Sequence, residues 1–244
     1  MGSAPKERRM LLLGGCVQKG AAPHFNAASA RVFGKIGVAL DEAPGCCGAI
    51  DAHLEAFAAA RTRARRNIAG WEAALAAGAE ALIVNASGCA AFIRDYPDLL
   101  AGDPAWRDRA RRIAAAVRDP VEILEAADLS AFAAPTRTRI AVHDPCTLAN
   151  GPGLGGRIAR LLAKLGYEPT AVSDAPRCCG SAGAWSLFHP HWARTLRDQK
   201  LAALTQAAPE TIVTANIGCW LHLRAASPTP VRHWIEAVDE ALAP

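Results

Sequence analysis

The chain has 244 residues, 51% hydrophobic and 20% charged, which gives room for one large domain or two small ones, each with its own core. Its net charge of +4 is mild, and neither aromatic interleaving nor a recognition motif accompanies the arginines, so nucleic acid is not an expected partner. No apolar run reaches the roughly eighteen uncharged residues that a membrane span needs, and the first residues lack the length and cleavage pattern of a secretory signal, so a cytoplasmic protein is expected.

In chain order, Arg9 to Leu13 reads as a first strand that ends at Gly14-Gly15-Cys16. A helix is predicted from Phe25 to Leu40, then a short extended piece and the stretch EAPGCCG carrying Cys46 and Cys47. A longer helix follows over 53–77, and the buried-type strand ALIVNAS leads to Cys89. Segment 95–125 has no visible counterpart later in the chain and is expected to pack as a connecting helix, RDRARRIAAAV, between two units. The linker is predicted at 126–138, where small and turn residues accumulate. A strand then runs to Cys146, a helix spans Leu154 to Leu165 and is closed by Gly166, and DAPRCCG supplies Cys178 and Cys179. A helix over 189–207 and the strand TIVTAN complete the pattern at Cys219. The arginine clusters at 61–66 and 107–112 read as solvated helix faces or a docking face for an acidic partner.

The eight cysteines form two quartets in one order: single, pair, single. Cys16 and Cys146 lie 130 residues apart, Cys46 and Cys178 132, and Cys89 and Cys219 130. LIVNASGC matches IVTANIGC, and EAPGCCG matches DAPRCCG, so the chain is internally duplicated. Strands alternating with helices imply an α/β fold: two Rossmann-like domains, 10–125 and 139–244, with parallel sheets and right-handed crossovers. The cysteines then fall at the carboxyl ends of strands, where open α/β sheets bind ligands.

Soft thiolates select zinc, copper(I) or iron–sulfur clusters. A zinc site usually draws on close C-x2-4-C pairs, and neither half contains one. Adjacent cysteines reach two iron atoms of a cluster more easily than one zinc. Zinc, metal-free thiol redox chemistry and plainly buried structural cysteines remain the alternatives. His143 before Cys146, His222 after Cys219 and His24 near the first site are candidates for neighbours that tune a cluster. Asn85 and Asn216 are taken as equivalent strand-end residues whose amides fix the cysteine loops, and Trp185 and Trp220 as shields against water. The glycine-rich stretch 151–156 does not follow a strand as a nucleotide loop would.

The CCG blocks with flanking single cysteines resemble the cysteine-rich CCG-domain family, which is related to the cysteine-rich catalytic subunit of heterodisulfide reductase. HDPCTLANGPGL, CCGSAGAWSLFHP and IVTANIGCWLHL are similar to the carboxyl-terminal part of its glycolate oxidase iron–sulfur branch. The resemblance implies an iron–sulfur cluster, [4Fe–4S], one or two per chain, held by Cys146, Cys178, Cys179 and Cys219 and by Cys16, Cys46, Cys47 and Cys89. It implies an electron-transfer role beside flavin-binding oxidase subunits that act on glycolate or a similar 2-hydroxy acid, with no catalytic residue on this chain. That branch also carries a ferredoxin-like module with C-x2-C-x2-C-x3-C-P runs; none occurs here, which leaves a fragment, a split subunit, or a separate paralogue with a ferredoxin-like partner as the readings, with any membrane association peripheral and through partners. The heterodisulfide reductase pattern has a further cysteine after each quartet. Here Phe92 and His222 stand in those places, against disulfide-reducing catalysis. That catalysis, and a zinc-bound or metal-free assembly role, are the rival functions.

Overall fold

The computed structural model describes residues 8–133 and 137–242. The first half runs β1 (Arg8–Leu13), α1 (Cys16–Ala21), α2 (His24–Lys35), β2 (Val38–Ala43), α3 (Ala49–His53), α4 (Phe57–Ala76), β3 (Leu82–Ile83), α5 (Ser87–Arg94), α6 (Tyr96–Leu99), α7 (Pro104–Ala116), β4 (Val117–Arg118) and α8 (Pro120–Leu124). The second runs β5 (Arg139–His143), α9 (Cys146–Ala149), α10 (Arg157–Lys164), β6 (Glu168–Pro169), α11 (Trp185–Phe188), α12 (Pro190–Thr205), β7 (Thr211–Thr214), α13 (Ile217–Arg224), β8 (Val231–His233) and α14 (Trp234–Glu240). Each half builds a four-stranded sheet, β2-β1-β3-β4 and β6-β5-β7-β8, and every pairing is parallel. The two duplicated Rossmann-like units expected from the repeat are present.

Three details depart from the sequence reading. The helix expected over 25–40 stops at Lys35, because Gly37 takes a φ of +74° and the following residues pair as a strand, Val38 opposite Arg8. The helix expected over 53–77 is α4, which begins only at Phe57, and the sequence reading does not anticipate the short α3 (Ala49–His53) before it. Segment 95–125 does have a counterpart. VRDPVE at 117–122 and VRHWIE at 231–236 are the fourth strand and the following helix of each sheet. Both helices open on a capping box: Val121 N donates to Asp119 Oδ1 at 2.9 Å, and Ile235 N to His233 Nδ1 at 3.2 Å. The match hides because 28 residues separate Cys89 from Val117 but only 12 separate Cys219 from Val231. The difference is α6 and α7, which pack on α4 and α5 within the first half rather than between the units. The predicted linker 126–138 includes 134–136, which lie outside the described residues; before them, Phe132 is buried and bridges to Leu242.

One apolar cluster runs through both halves, joining Met10, Val32 and Phe33 to Ile140, Leu161 and Trp234, with α2 packed on α14. A smaller cluster of Phe25, Ala86, Ile217 and Trp220 continues this seam. Phe25 meets the Trp220 ring edge-on at 5.1 Å and the His233 ring at 4.7 Å. Among the described residues no helix is long and apolar enough to cross a membrane.

Candidate metal centre

The cysteine loops follow from the strand ends. After β1 and β5 the chain turns at once into short helices whose first residues are Cys16 and Cys146. Cys89 and Cys219 each sit third in α5 and α13, in the first turn, where free backbone N–H groups favour a thiolate. The pairs Cys46-Cys47 and Cys178-Cys179 are turned inward by the glycine that follows each. Gly48 and Gly180 have φ of +89° and +85°, and a side chain at Gly180 would strike the Ala193 carbonyl.

The turns bring each quartet together. In the first half Cys46 Sγ lies 2.9 Å from Cys16 Sγ, and Cys47 Sγ 3.0 Å from Cys89 Sγ. In the second, Cys179 Sγ lies 3.0 Å from Cys219 Sγ, and Cys178 contacts Cys146. All eight thiols are free. The hydrogen bond from Cys16 holds the Cys46 thiol well below its ordinary pKa, and that from Cys146 does the same for Cys178. The neighbours Cys16, Cys47, Cys146 and Cys179 are pushed up, chiefly by their contacts with those thiolates. Four thiolates at this spacing repel one another unless a cationic core lies among them, so the donor set fits a thiophilic metal or cluster. Backbone and amide donors add to this: Gly180 N donates to Cys178 Sγ at 3.3 Å and Asn216 Nδ2 to Cys219 Sγ at 3.5 Å.

The two quartets open on one cavity of about 760 Å³ between the halves, and all eight cysteines line it. Main-chain and side-chain bonds cross beside it: Ser87 N donates to Ala215 O at 3.0 Å, Ser87 Oγ lies 2.8 Å from Thr147 Oγ1, and Gly88 N donates to Asn216 Oδ1 at 3.2 Å.

The other expected residues divide. His143 is buried, lines the cavity, and has Nδ1 2.8 Å from Thr214 Oγ1. A nitrogen of its ring falls within 4.8 Å of the sulfurs of Cys179 and Cys219, and burial lowers its pKa to about 3, so it is neutral. His222 also lines the cavity, with Nε2 3.0 Å from the Ala193 carbonyl oxygen. His24 is away from the cavity, 3.7 Å from Glu236 and against the Phe25 ring. Asn216 lies between the two halves' cysteine loops, donating to Cys219 Sγ and accepting from Gly88 N. Asn85 is not its equivalent: the 130-residue offset sets Asn85 opposite Ala215, and Asn85 is buried away from the cavity, accepting from Gln18 Nε2 at 2.6 Å and donating to Ser29 Oγ at 3.0 Å. Trp220 is buried in the seam and donates to Val231 O at 2.8 Å, while Trp185 is 36% exposed.

Sequence reading missed Lys200, a buried lysine behind the second quartet. A signal was available, because Lys200 falls in line with Ala193, Leu196 and Leu204 along the core face of α12. The arginines at 107–112 are ion-paired with acidic neighbours. Arg109 and Arg112 pair with Glu72 at 2.7 and 2.9 Å, and Arg111 pairs with Asp108.

The cysteine-rich (CCG) domain profile matches residues 10–94 and 140–224, once in each half. The glycolate oxidase iron-sulfur subunit of Escherichia coli (strain K12) is 46% identical over 97% of this chain and 58% of its own length. The probable glycolate oxidase iron-sulfur subunit of Bacillus subtilis (strain 168) is 29% identical over 90% of this chain and 50% of its own. The chain thus spans about half the length of these curated relatives. A hypothetical protein from Helicobacter pylori shares the fold, with a TM-score of 0.66 at 12% identity over 100% of this chain and 52% of that one.

Proposed function

The chain belongs to the cysteine-rich CCG domain family, and on that premise we propose that it is an iron–sulfur electron-transfer subunit of a flavin-dependent oxidase of glycolate or a related 2-hydroxy acid. The observation that carries this reading is the pair of thiol quartets on one cavity. The resemblance to subunits named for glycolate oxidase supports it. Cys146, Cys178, Cys179 and Cys219 would hold one cluster, and Cys16, Cys46, Cys47 and Cys89 a second, each [4Fe–4S]. Such a cluster supplies one-electron transfer, with a potential set by ligand charge, hydrogen bonds and exposure. This chain's part is to gather the thiolates, aim N–H donors at them and keep neutral His143 beside the second set. Hydride removal from the substrate belongs to a flavin on a partner.

The cavity rim supports docking of that partner. Val17, Ile50, Leu187 and Leu221 line the cavity and are exposed, and exposed Leu54, Phe57, Phe188 and Trp192 follow them closely in the chain. An apolar patch of this kind around an opening marks an interaction site. The rim, rather than the ion-paired arginines of α7, is the docking face in this reading.

Anaerobic purification with iron, sulfide and zinc analysis tests the function. Iron and sulfide are expected in the wild type, and Cys178→Ser or Cys179→Ser should remove iron and visible absorbance from the second quartet. The isolated chain should not oxidise glycolate with an artificial acceptor until flavin-bearing partners are added. Stoichiometric zinc without sulfide, steady glycolate oxidation by flavin-free protein, or disulfide turnover by the chain alone would each refute the reading.

A further inference from the structure

Lys200 is only 1% exposed. Its ammonium donates to the Ala175 carbonyl at 2.8 Å and the Asp174 carbonyl at 3.2 Å, both on the loop that leads into Cys178 and Cys179. The nearby Asp174 carboxylate is turned to Arg177. Lys200 therefore has carbonyl dipoles and, among the described residues, no salt bridge; the charges within its electrostatic reach are the Asp174 and Asp144 carboxylates, Arg177, Cys179 and Cys178, with His143 beside them. Burial disfavours this ammonium and lowers its pKa, no described carboxylate forms a direct ion pair with it, and a further anionic group beside it offsets part of that cost.

The first half solves the same loop without charge. Asn67 Nδ2 donates to the Cys46 carbonyl at 2.8 Å and to Tyr96 Oη at 3.0 Å, and Tyr96 Oη donates to the Cys47 carbonyl at 2.6 Å. The cation near that quartet is Arg63, which is exposed, in water and paired with Asp51 at 2.7 Å. Solvent screens such a charge, whereas protein around Lys200 does not.

We propose that Lys200 is a positioning residue for the second quartet, which both holds the 174–175 loop and supplies a fixed positive charge that raises the reduction potential of the centre held there. This rests on the electron-transfer reading above. In the step concerned, one electron leaves a reduced donor on the partner, which is oxidised, and enters the second centre, which is reduced. No proton moves and no covalent bond changes. The added negative charge is what the buried ammonium stabilises.

The test compares anaerobically purified wild type, Lys200→Met and Lys200→Arg by iron and sulfide content and by potentiometric titration followed by electron paramagnetic resonance. The second-centre signal is identified as the one lost in Cys178→Ser. Lys200→Met should keep its iron, while at a fixed potential the reduced-to-oxidised ratio of that signal falls about tenfold, a shift of about 59 mV to lower potential for a one-electron couple. Lys200→Arg, which keeps the charge, should stay near the wild-type potential. An unshifted signal in Lys200→Met, or equal iron loss in both variants with the remaining signal at the wild-type potential, would overturn the proposal and leave the electron-transfer reading standing. A wild-type chain that holds no iron would overturn both, and is recognised before either variant is titrated.

Discussion

His233 ties the two halves together through one ring, and this gives stability a specific pH dependence. The residue is 0% exposed, its Nε2 donates to the Asn85 carbonyl of the first half at 2.8 Å, and its Nδ1 accepts from Ile235 N at 3.2 Å to cap α14. This neutral tautomer uses both nitrogens, and a second proton on Nδ1 would abolish the cap. Burial, the main cause, lowers its pKa from 6.5 to about 4. Above the unfolded value the ring is neutral in both states and contributes no pH dependence. Between there and about 4 the unfolded chain takes up a proton that the native state refuses, so stability falls as pH falls, by about 1.4 kcal/mol per pH unit, or about 2 kcal/mol at pH 5. His233→Leu loses the cap, about 0.5–2 kcal/mol, and leaves the Asn85 carbonyl unpaired, about 1–3 kcal/mol. A deficit of about 2–4 kcal/mol is therefore expected at pH 7.5. The variant carries no imidazole to protonate, so by pH 5 the gap should shrink by about 2 kcal/mol. Urea denaturation of both proteins at both pH values measures this, and groups titrating elsewhere cancel in the difference. A gap of equal size at pH 5 and pH 7.5 would show that His233 does not fold as a buried neutral ring.

Phe25, fully buried at the seam against Trp220 and His233, should cost about 3–5 kcal/mol on conversion to Ala, read as a lower urea midpoint. Gly180→Ala, at φ +85° and against the Ala193 carbonyl, should destabilise the fold and lower the iron content of the second quartet. In contrast, Gly70→Ala, at an exposed position of α4 with nothing within 4 Å of a new Cβ, should stabilise by about 0.5–1 kcal/mol and leave iron unchanged. If both glycine variants behave alike, the backbone argument at the CCG turn is wrong. Leu187→Asp with Phe188→Asp, 79% and 68% exposed, should slow reduction by the partner with iron and urea midpoint unaltered; undiminished reduction would remove the rim as the docking face.

The duplication, the parallel α/β class and the gathering of each quartet are legible in the order of the residues. They follow from local rules: a strand must end, glycine permits the turn, and Cys16, Cys89, Cys146 and Cys219 recur at those ends with fixed spacing. The fourth strands escaped because α6 and α7 shift the VRDPVE and VRHWIE copies out of the 130- to 132-residue register that the cysteines keep. The pairing of Asn85 with Asn216 failed for a similar reason, since a one-residue slip at a strand end turns a side chain to the opposite face. Packing of the two halves is what sets both quartets on one cavity, through residues far apart in the chain such as Ser87 with Thr147 and Asn85 with His233. Lys200 is covered within its own half, by the 174–175 loop. Helical spacing puts Lys200 on the core face of α12, but which loop covers its ammonium and removes its water is set by packing rather than by sequence distance.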